Sequence, residues 1–142
     1  MDNQLIANLS MLYTDRPMLE RFSAAAEYGF SGVEIQFPYD WSAHELKEAA
    51  DKAGVRIHLI NVPAGDLLQG GRGLSCYDEQ QDDFRKACAL ALQYGSVLAV
   101  EKINVLAGNI DNTSHRKACL NCYIDNLRYA AELFLSEGIT LS

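Results

Sequence analysis

Amide side chains and one aromatic ring lie where the predicted strands of this chain end, and these residues could shape a binding site. They are Asn8, Gln36, Phe37, Asn61 and Asn104, four amides and one aromatic ring at or just past strand ends. In folds built from parallel strands, sites form at the carboxyl ends of the strands. The sequence therefore predicts a pocket wall for a small molecule, and no residue is assigned a catalytic role.

Arg72 is the strongest candidate for binding an anion. It lies in the glycine-rich segment Gly70-Gly71-Arg72-Gly73, after the third predicted strand. A guanidinium group holds a carboxylate through two parallel hydrogen bonds, and the flanking glycines would let the loop approach a ligand closely. The alternative is a solvated loop residue, because loops carry function but are also exposed.

Two histidines, His58 and His44, lie in a predicted strand and a predicted helix. His58 and Glu34 could form an acid–base pair, but the preferred interpretation is a mutually paired couple in the interior, since a buried charge needs a partner. His44 lies in the first turn of a predicted helix and is expected to face solvent. Neither histidine is assigned to a site.

The four cysteines, Cys76, Cys88, Cys119 and Cys122, are expected to be free thiols rather than a disulfide framework. His115, Cys119 and Cys122 recur at i, i+4 and i+7, which would place three soft-metal ligands on one helix face. A closed zinc site needs four ligands, and no partner motif supplies the fourth. Thiols on a helix flank are the preferred interpretation, and no metal ligand is assigned.

Four strand-then-helix units position these residues. Strands are predicted near residues 4–10, 32–37, 55–61 and 102–106, and a fifth begins at residue 139. One helix opens at Pro17, one opens with the capping box Ser42–Glu45 and closes at Gly54, one covers residues 79–94, and the last opens at Ser114. The apolar stripe of the last helix is predicted to consist of Leu120, Ile124, Leu127, Ala131 and Phe134.

Strand residues alternate between apolar and polar side chains, and this alternation predicts the fold class. The apolar set is Ala7, Leu9, Val33, Ile35, Ile57, Leu59, Ile103 and Val105. The polar set is Asn8, Glu34, Gln36, His58, Lys102 and Asn104. Helices must cover the apolar side, so the polar side becomes the interior of a barrel or, as the alternative, the wet face of an open sheet. Consecutive βα units favour the barrel: an α/β fold of (β/α)8 TIM-barrel type, present as a single domain (1–142) forming a half barrel of about four βα units.

Composition narrows the possible partners. The chain has 142 residues, is 49% hydrophobic and carries a formal net charge of −7. Nucleic acid is not expected as a partner, because tracking phosphates needs clustered Lys and Arg. No apolar run reaches the roughly 18–20 residues of a membrane span, and Met1–Gln4 leads into no secretory signal. We therefore expect a cytoplasmic protein without membrane or nucleic-acid partners.

Five short motifs point to a known family. They are Ala7-Asn8-Leu9-Ser10-Met11-Leu12-Tyr13, Phe37-Pro38-Tyr39-Asp40, Asn61-Val62-Pro63-Ala64-Gly65-Asp66, Gly71-Arg72-Gly73 and Val105-Leu106-Ala107-Gly108. In this order and spacing the set resembles the hydroxypyruvate isomerase family, with its relatives that isomerise 2-oxo-tetronate, among the xylose-isomerase-like TIM barrels. The resemblance covers essentially the whole chain.

The resemblance implies a metal-dependent proton transfer on a small hydroxy-keto acid such as hydroxypyruvate or tartronate semialdehyde. In such enzymes a divalent ion, Mg or Mn, polarises the carbonyl while paired glutamates act as base and acid. Those groups come from strands five to eight, and a full barrel has about 250 residues. We therefore expect an N-terminal half without turnover of its own. Asn104 stands where relatives often carry histidine, which leaves the role of strand four open.

Three alternatives stay open. The first is a non-catalytic half barrel that self-associates, since open sheet edges and an uncovered inner face favour pairing. The second is a 2-oxo-tetronate isomerase, which the sequence does not separate from a hydroxypyruvate isomerase. The third is a metal-dependent abasic-site nuclease, which shares the barrel type but which the acidic balance disfavours.

Overall fold

A computed structural model describes residues 5–142 and contains one sheet of five parallel strands in the order β1-β2-β3-β4-β5. The strands are β1 (Ile6–Asn8), β2 (Gly32–Ile35), β3 (Arg56–Asn61), β4 (Lys102–Asn104) and β5 (Thr140–Leu141). The helices are α1 (Met18–Glu27), α2 (Ala43–Ala53), α3 (Gln81–Leu98) and α4 (Arg116–Leu135). The predicted strand start at Gln4 and the predicted absence of a leader at Met1–Gln4 lie outside the described residues.

The helices cover one face of the sheet and form the core with it. Strand residues such as Val33, Ile60 and Ile103 are fully buried together with Phe22, Phe84 and Phe134 from the helices; the same cluster also contains Ala7, Leu9, Ile35, Leu46, Cys88 and Ala130. Burying these side chains is the main favourable term for such a domain. The opposite face of the sheet, hereafter the inner face, carries the polar side chains.

Helix α2 begins and ends where its local sequence predicts. The Ser42 hydroxyl accepts a hydrogen bond from the Glu45 N–H, and the Glu45 carboxylate accepts one from the Ser42 N–H. Gly54 closes the helix with φ 72°, a left-handed conformation that glycine adopts without steric cost. His44, in the first turn, is exposed as predicted.

Helix α3 continues one turn beyond its predicted end at Tyr94. Gly95 lies inside the helix, and a Cβ there would come within 2.9 Å of the Ile103 side chain. The glycine therefore serves close packing of helix on strand rather than helix termination. Ala99, with φ 54°, ends the helix instead.

Strict alternation fails in β3, because the strand contains a bulge. Val33 pairs with Ile57 but Glu34 pairs with Leu59, so His58 is the extra residue. Beyond the bulge Ile60 turns to the core, and Leu59 joins Glu34 and Lys102 in the inner-face row. The predicted helix-facing position of Leu59 is therefore wrong. The same shift turns Asn61 toward the inner face.

The predicted apolar stripe of α4 is wrong in part: Phe134 is buried and Leu127 packs against the core, but Leu120 and Ile124 do not. The residues that α4 buries are Cys119, Cys122, Asn126, Ala130 and Phe134. Leu120 is 51% exposed and Ile124 is 37% exposed. Helix α4 has two apolar flanks, and the predicted stripe runs along the boundary of the buried one, so that Leu120 and Ile124 fall outside the core. None of the helices within residues 5–142 is long and apolar enough to span a membrane.

Candidate functional site

Asn61 and Asn104 form a hydrogen-bonded pair at the carboxyl ends of β3 and β4. They are register partners, and the Asn104 Nδ2 donates to the Asn61 Oδ1 over 3.1 Å. Backbone bonds fix both residues, since Val62 N–H donates to the Asn104 carbonyl and Asn61 N–H to the Gln36 carbonyl. An Asn side chain has two N–H donors and a carbonyl acceptor. The pair, hereafter the strand-end amides, therefore keeps hydrogen-bonding capacity that no described residue uses.

Tyr39 supports this pair from behind. Its hydroxyl donates to the Asn61 backbone carbonyl, and its ring packs edge-on against Tyr94 at 5.0 Å between centroids. The Tyr94 hydroxyl in turn donates to the Trp41 carbonyl over 2.8 Å. Burial, with smaller contributions from Cys88 and Tyr94, raises the pKa of Tyr39 well above its usual range. The hydroxyl thus stays protonated and remains a donor.

Asn8 and Gln36 lie on the same face, where Asn8 is bonded through its side chain and Gln36 through its backbone. The Asn8 Nδ2 donates to the Glu34 Oε1 over 2.7 Å, while its Oδ1 accepts from the Ser10 N–H over 3.0 Å. The Gln36 N–H donates to the Ser10 hydroxyl over 2.9 Å. Asn8 therefore shapes the exit of β1. Phe37 follows half-buried, next to the fully buried Pro38.

Arg72 already has two carboxylate partners. Its guanidinium lies 3.0 Å from the Glu79 Oε1 and 3.4 Å from the Asp111 Oδ2, and it stacks 4.0 Å from the centroid of the Tyr77 ring. We call Arg72, Tyr77, Glu79 and Asp111 the clamp. The two carboxylates help to raise the pKa of Arg72. Within residues 5–142, the Arg72 side chain forms its ion pairs and its ring contact with the clamp and not with the strand-end amides.

The clamp joins the loop after β3 to the loop after β4. Asn109 N–H donates to the Arg72 carbonyl over 3.0 Å, and Asn109 Nδ2 donates to the Gly71 carbonyl over 3.0 Å. Gly108 has φ +89°, and a Cβ there would lie 2.5 Å from the Arg72 carbonyl oxygen. This contact requires glycine. The two loops therefore form one joined rim beside the strand-end amides.

The predicted pairing of His58 with Glu34 is wrong. His58 Nδ1 lies 3.3 Å from Glu101 Oε2, whereas Glu34 bonds to Asn8. The bulge in β3 separates the two predicted partners. His58 Nε2 is buried without a hydrogen-bond partner among the described residues, and the ring packs against Gly32 at the start of β2. His58 therefore belongs to the amino-terminal side of the sheet, away from the strand ends.

The thiols are free and buried, and they do not form a metal centre. Cys76, Cys88, Cys119 and Cys122 are all buried without disulfides. Burial raises the pKa of Cys88 to about 12; the pKa of Cys122 also rises to about 12, through burial and then through Asp78. Residues 5–142 contain no group of three or more His, Cys, Asp or Glu side chains arranged to hold a metal ion. His115 is exposed, outside the buried face of α4.

Of the six predicted pocket residues, the structure thus brings Asn61 and Asn104 into direct side-chain contact, with Gln36 bonded to Asn61 through the backbone. Asn8 and Phe37 follow neighbouring strand ends, and Arg72 lies in the rim. Sequence reasoning missed Tyr39 as a supporting residue. Tyr39 appeared in the sequence analysis only as part of the motif Phe37-Pro38-Tyr39-Asp40, without a structural role.

The sequence of this chain is similar to that of a known protein family and of several characterised relatives. The sequence profile of the xylose isomerase-like TIM barrel family matches residues 22–142. The chain is 39% identical over 135 residues to 2-oxo-tetronate isomerase of Cupriavidus necator and to hydroxypyruvate isomerase of Escherichia coli. Each alignment covers 95% of this chain and 52% of the relative, so the chain spans about half the length of the curated relatives it matches.

This chain also covers about half the length of the solved structures that it matches. A crystal structure described as an AP endonuclease of family 2 from Brucella melitensis superposes with a TM-score of 0.91 at 36% identity, covering 97% of this chain and 54% of that chain. A sugar phosphate isomerase/epimerase from Parabacteroides distasonis gives a TM-score of 0.75 at 16% identity, over 97% of this chain and 49% of that one, and shares the fold. The five parallel strands are therefore about half of a TIM barrel, which confirms the predicted fold class.

Proposed function

The chain belongs to the xylose isomerase-like TIM barrel family, and from this premise we propose that it is the N-terminal, pocket-wall half of an isomerase of small hydroxy-keto acids. The observation that carries the proposal is 39% identity to two such isomerases along 95% of this chain, with 52% of each relative covered. The resemblance noted in the sequence agrees with this. The substrate class is a short carboxylic acid with adjacent hydroxyl and carbonyl groups.

The chemistry of that reaction limits what this half contributes. Moving a proton between adjacent carbons needs a base and an acid, and the family resemblance implies a divalent ion, Mg or Mn, at the carbonyl. The described residues do not fit such an ion, because no three potential ligands converge and the inner-face carboxylate of Glu34 is bonded to Asn8. No step through a metal is therefore assigned to this chain.

The role we propose for Asn61 and Asn104 is to orient the substrate. Their mutual bond uses one N–H and one carbonyl oxygen, so the remaining groups are available to substrate hydroxyl or carbonyl oxygens. Tyr39 and the backbone bonds hold the pair in place before a ligand arrives. Holding polar groups in position in advance reduces the entropy cost of binding.

Arg72 remains a candidate for binding the substrate carboxylate, although two carboxylates of the protein already contact its guanidinium. A ligand must displace Glu79 or Asp111 from its guanidinium before it can form a bidentate pair. The exchange replaces one carboxylate by another and gains little. We therefore expect Arg72 to contribute less to substrate binding than the strand-end amides do.

An assay of the 142-residue chain with hydroxypyruvate, or with 2-oxo-tetronate, in the presence of Mg²⁺ or Mn²⁺ tests the proposal. We expect no turnover above the protein-free control, with the Escherichia coli relative as the positive control. We also expect the Asn61 and Asn104 side-chain amide resonances to shift with substrate while that of Asn112 does not. Metal-dependent turnover by this chain alone would contradict the proposal.

A second candidate is nucleic-acid processing, because the Brucella melitensis structure is described as an endonuclease. The net charge of −7 opposes phosphate binding. We expect no retention of DNA containing an abasic site at low salt, and salt-dependent retention would favour this alternative instead. A cytoplasmic location likewise stays a prediction, which fractionation of the expressing cells would check.

A further inference from the structure

Three of the four buried thiols meet where the rim contacts helix α4. Cys76 lies in the segment between β3 and α3, and Cys119 and Cys122 lie in the first two turns of α4. Cys76 and Cys119 pack with Tyr77 in a small buried cluster that is separate from the main core. The fold thus brings together thiols that are far apart in the sequence.

Two cavities share these thiols as a common wall. One cavity, of about 310 Å³, is lined by the clamp residues together with Cys76, Cys119 and Cys122. The other, of about 270 Å³, is also lined by Cys76 and Cys119. All residues around the first cavity belong to segments 72–79 and 111–122, so described residues alone form it. A small molecule that passes the two exposed carboxylates of the clamp therefore reaches the thiols.

Helix geometry selects Cys76 and Cys119 as a reactive pair. Cys119 and Cys122 are three residues apart on α4, where Cβ atoms lie about 5–6 Å from each other. A disulfide needs about 3.5–4.5 Å between Cβ atoms, which a rigid helix does not provide. Cys76 lies outside the helices and strands, so its backbone can adjust. Cys122 is in addition 3.6 Å from the Asn126 Nδ2.

The titration of the thiols agrees with their proximity. Burial, and then a charge on Cys119, raises the pKa of Cys76. Burial, and then Asp78, raises the pKa of Cys122 to about 12. Because thiolates rather than thiols attack disulfides, we expect exchange at this site to take on the order of hours at neutral pH.

We propose that Cys76 and Cys119 form a reversible disulfide by exchange with a low-molecular-weight disulfide, and that this bond fastens the rim to α4. One cysteine thiolate attacks the small disulfide, forms a mixed disulfide and releases one small thiol. The other cysteine thiolate then attacks the protein sulfur of the mixed disulfide and releases the second small thiol. The protein gives up two electrons and two protons, which leave on the two small thiols. This inference goes beyond the proposed activity and does not depend on it.

Cys76 already takes part in the joint between the two loops. Its thiol donates to the Ala107 carbonyl, and the Ser75 hydroxyl donates to the same carbonyl over 3.0 Å. Two residues further on, the Asn109 N–H bonds to the Arg72 carbonyl. The disulfide would replace the hydrogen bond of Cys76 by a covalent bond to α4, and so tie the rim to a long helix. In a reducing compartment such a bond is transient and serves redox sensing.

Peptide mapping of the 142-residue chain after incubation with oxidised glutathione tests the pairing. We expect one intramolecular disulfide between Cys76 and Cys119, which dithiothreitol reverses, and a fall in the number of free thiols from four to two. Cys119→Ala and Cys76→Ala should each abolish it. Cys122→Ala, at a second buried thiol of the same helix face, should leave it unchanged. Cooperative melting curves establish that the variants are folded.

Hydrogen exchange tests whether the bond fastens the rim. In the oxidised chain we expect the Asn109 amide to exchange at least about threefold more slowly, because the cross-link restrains the loop joint. The Val55 amide, which bonds to the Ala50 carbonyl in α2, should not change. The melting temperature should rise by about 10 °C, since a cross-link across a long stretch of chain restrains the unfolded state.

Three results would overturn the proposal. The first is the absence of a bond between Cys76 and Cys119 after oxidation, whether the thiols stay free or carry glutathione. The second is a bond that forms only in concentrated urea, where the chain is unfolded, or one that joins Cys119 to Cys122 instead. The third is equal exchange of the Asn109 amide in the oxidised and reduced chains, since the bond would then not act on the rim.

Discussion

The strand-end amides and the clamp around Arg72 are two polar regions of this molecule, and they differ in how much of their hydrogen-bonding capacity is unused; the sequence predicted both amides and Arg72 as pocket residues, but not the partners of Arg72. Asn61 and Asn104 are neutral, closely packed and bonded to each other, yet keep free donors and acceptors. Arg72 carries a full charge, but Glu79, Asp111 and Tyr77 already occupy it. Unused hydrogen-bonding capacity, held rigidly, indicates a ligand site better than formal charge does. The clamp is better explained as the joint between two loops.

The largest effect is expected from a substitution that blocks the contact between the two loops at Gly108, because the clamp serves to hold these loops together. Gly108→Ala places a methyl group 2.5 Å from the Arg72 carbonyl oxygen. We expect a loss of about 3 kcal/mol in the free energy of unfolding, from overpacking added to a positive-φ cost. Gly138→Ala is the control, since its φ of +73° is similar but its surroundings are open. Urea denaturation measures both, and equal losses would show that the loops do not depend on this contact.

The buried layer behind the strand-end amides, which includes the Cys88 thiol, should respond to pH. The Cys88 thiol stays protonated in the folded protein because burial raises its pKa to about 12, whereas the unfolded thiol ionises near its ordinary value of 9. This contribution to stability is therefore complete below pH 9 and is lost as the pH rises toward 12. By pH 10.5 the loss is about 2 kcal/mol.

Cys88→Ala isolates that contribution. The variant is expected to be less stable at pH 8, but its unfolding free energy should fall less than that of wild type between pH 8 and pH 10.5. Urea denaturation at both values measures the difference. A wild-type pH dependence unchanged by Cys88→Ala would show that this thiol does not titrate as described.

Removing the hydroxyl of Tyr39 should loosen the amide pair. Tyr39→Phe leaves the Asn61 carbonyl without its donor, and we expect a loss of about 1.5 kcal/mol in the free energy of unfolding. Tyr28→Phe, at a tyrosine that is 74% exposed, should change little. Amide hydrogen exchange at Val62 gives the local readout, because this N–H bonds to Asn104. Equal effects of the two variants would remove Tyr39 from the support of the site.

The smallest expected effect comes from removing the positive charge of Arg72 in the clamp. Arg72→Gln should speed hydrogen exchange of the Asn109 amide a few-fold at low salt, because that amide bonds to the Arg72 carbonyl. The difference should vanish at about 1 M salt, where the Debye length is about 3 Å. Arg128→Gln removes an exposed pair with Asp125 and serves as the control. An effect that survives high salt would mean that stacking on Tyr77, rather than charge, holds the loop.

Local signals in the sequence identified much of the fold. The capping box at Ser42 and the closing Gly54 set the limits of α2 because both act within one helical turn. Alternating side chains identified four strands and the polar inner face. The order of the units and the resemblance in motifs then gave the barrel class.

What the sequence left hidden depends on contacts between distant residues. The bulge at His58 follows from how β2 and β3 pair, and it decides whether Leu59 or Ile60 enters the core. Asp111 meets Arg72 across 39 residues of chain, so the neutralised state of the guanidinium had no local sign. In α4 both flanks are apolar, and periodicity alone could not select the buried one.

A completed barrel tests the central claim most directly. We would join this chain to the segment of the Escherichia coli hydroxypyruvate isomerase that follows its aligned region, and measure kcat/KM with hydroxypyruvate. We expect the joined protein to turn over, Asn104→Ala to lower kcat/KM by about 10- to 100-fold through a lost polar contact, and Arg72→Gln to lower it less than about threefold. Full activity of Asn104→Ala together with a collapse in Arg72→Gln would contradict the account.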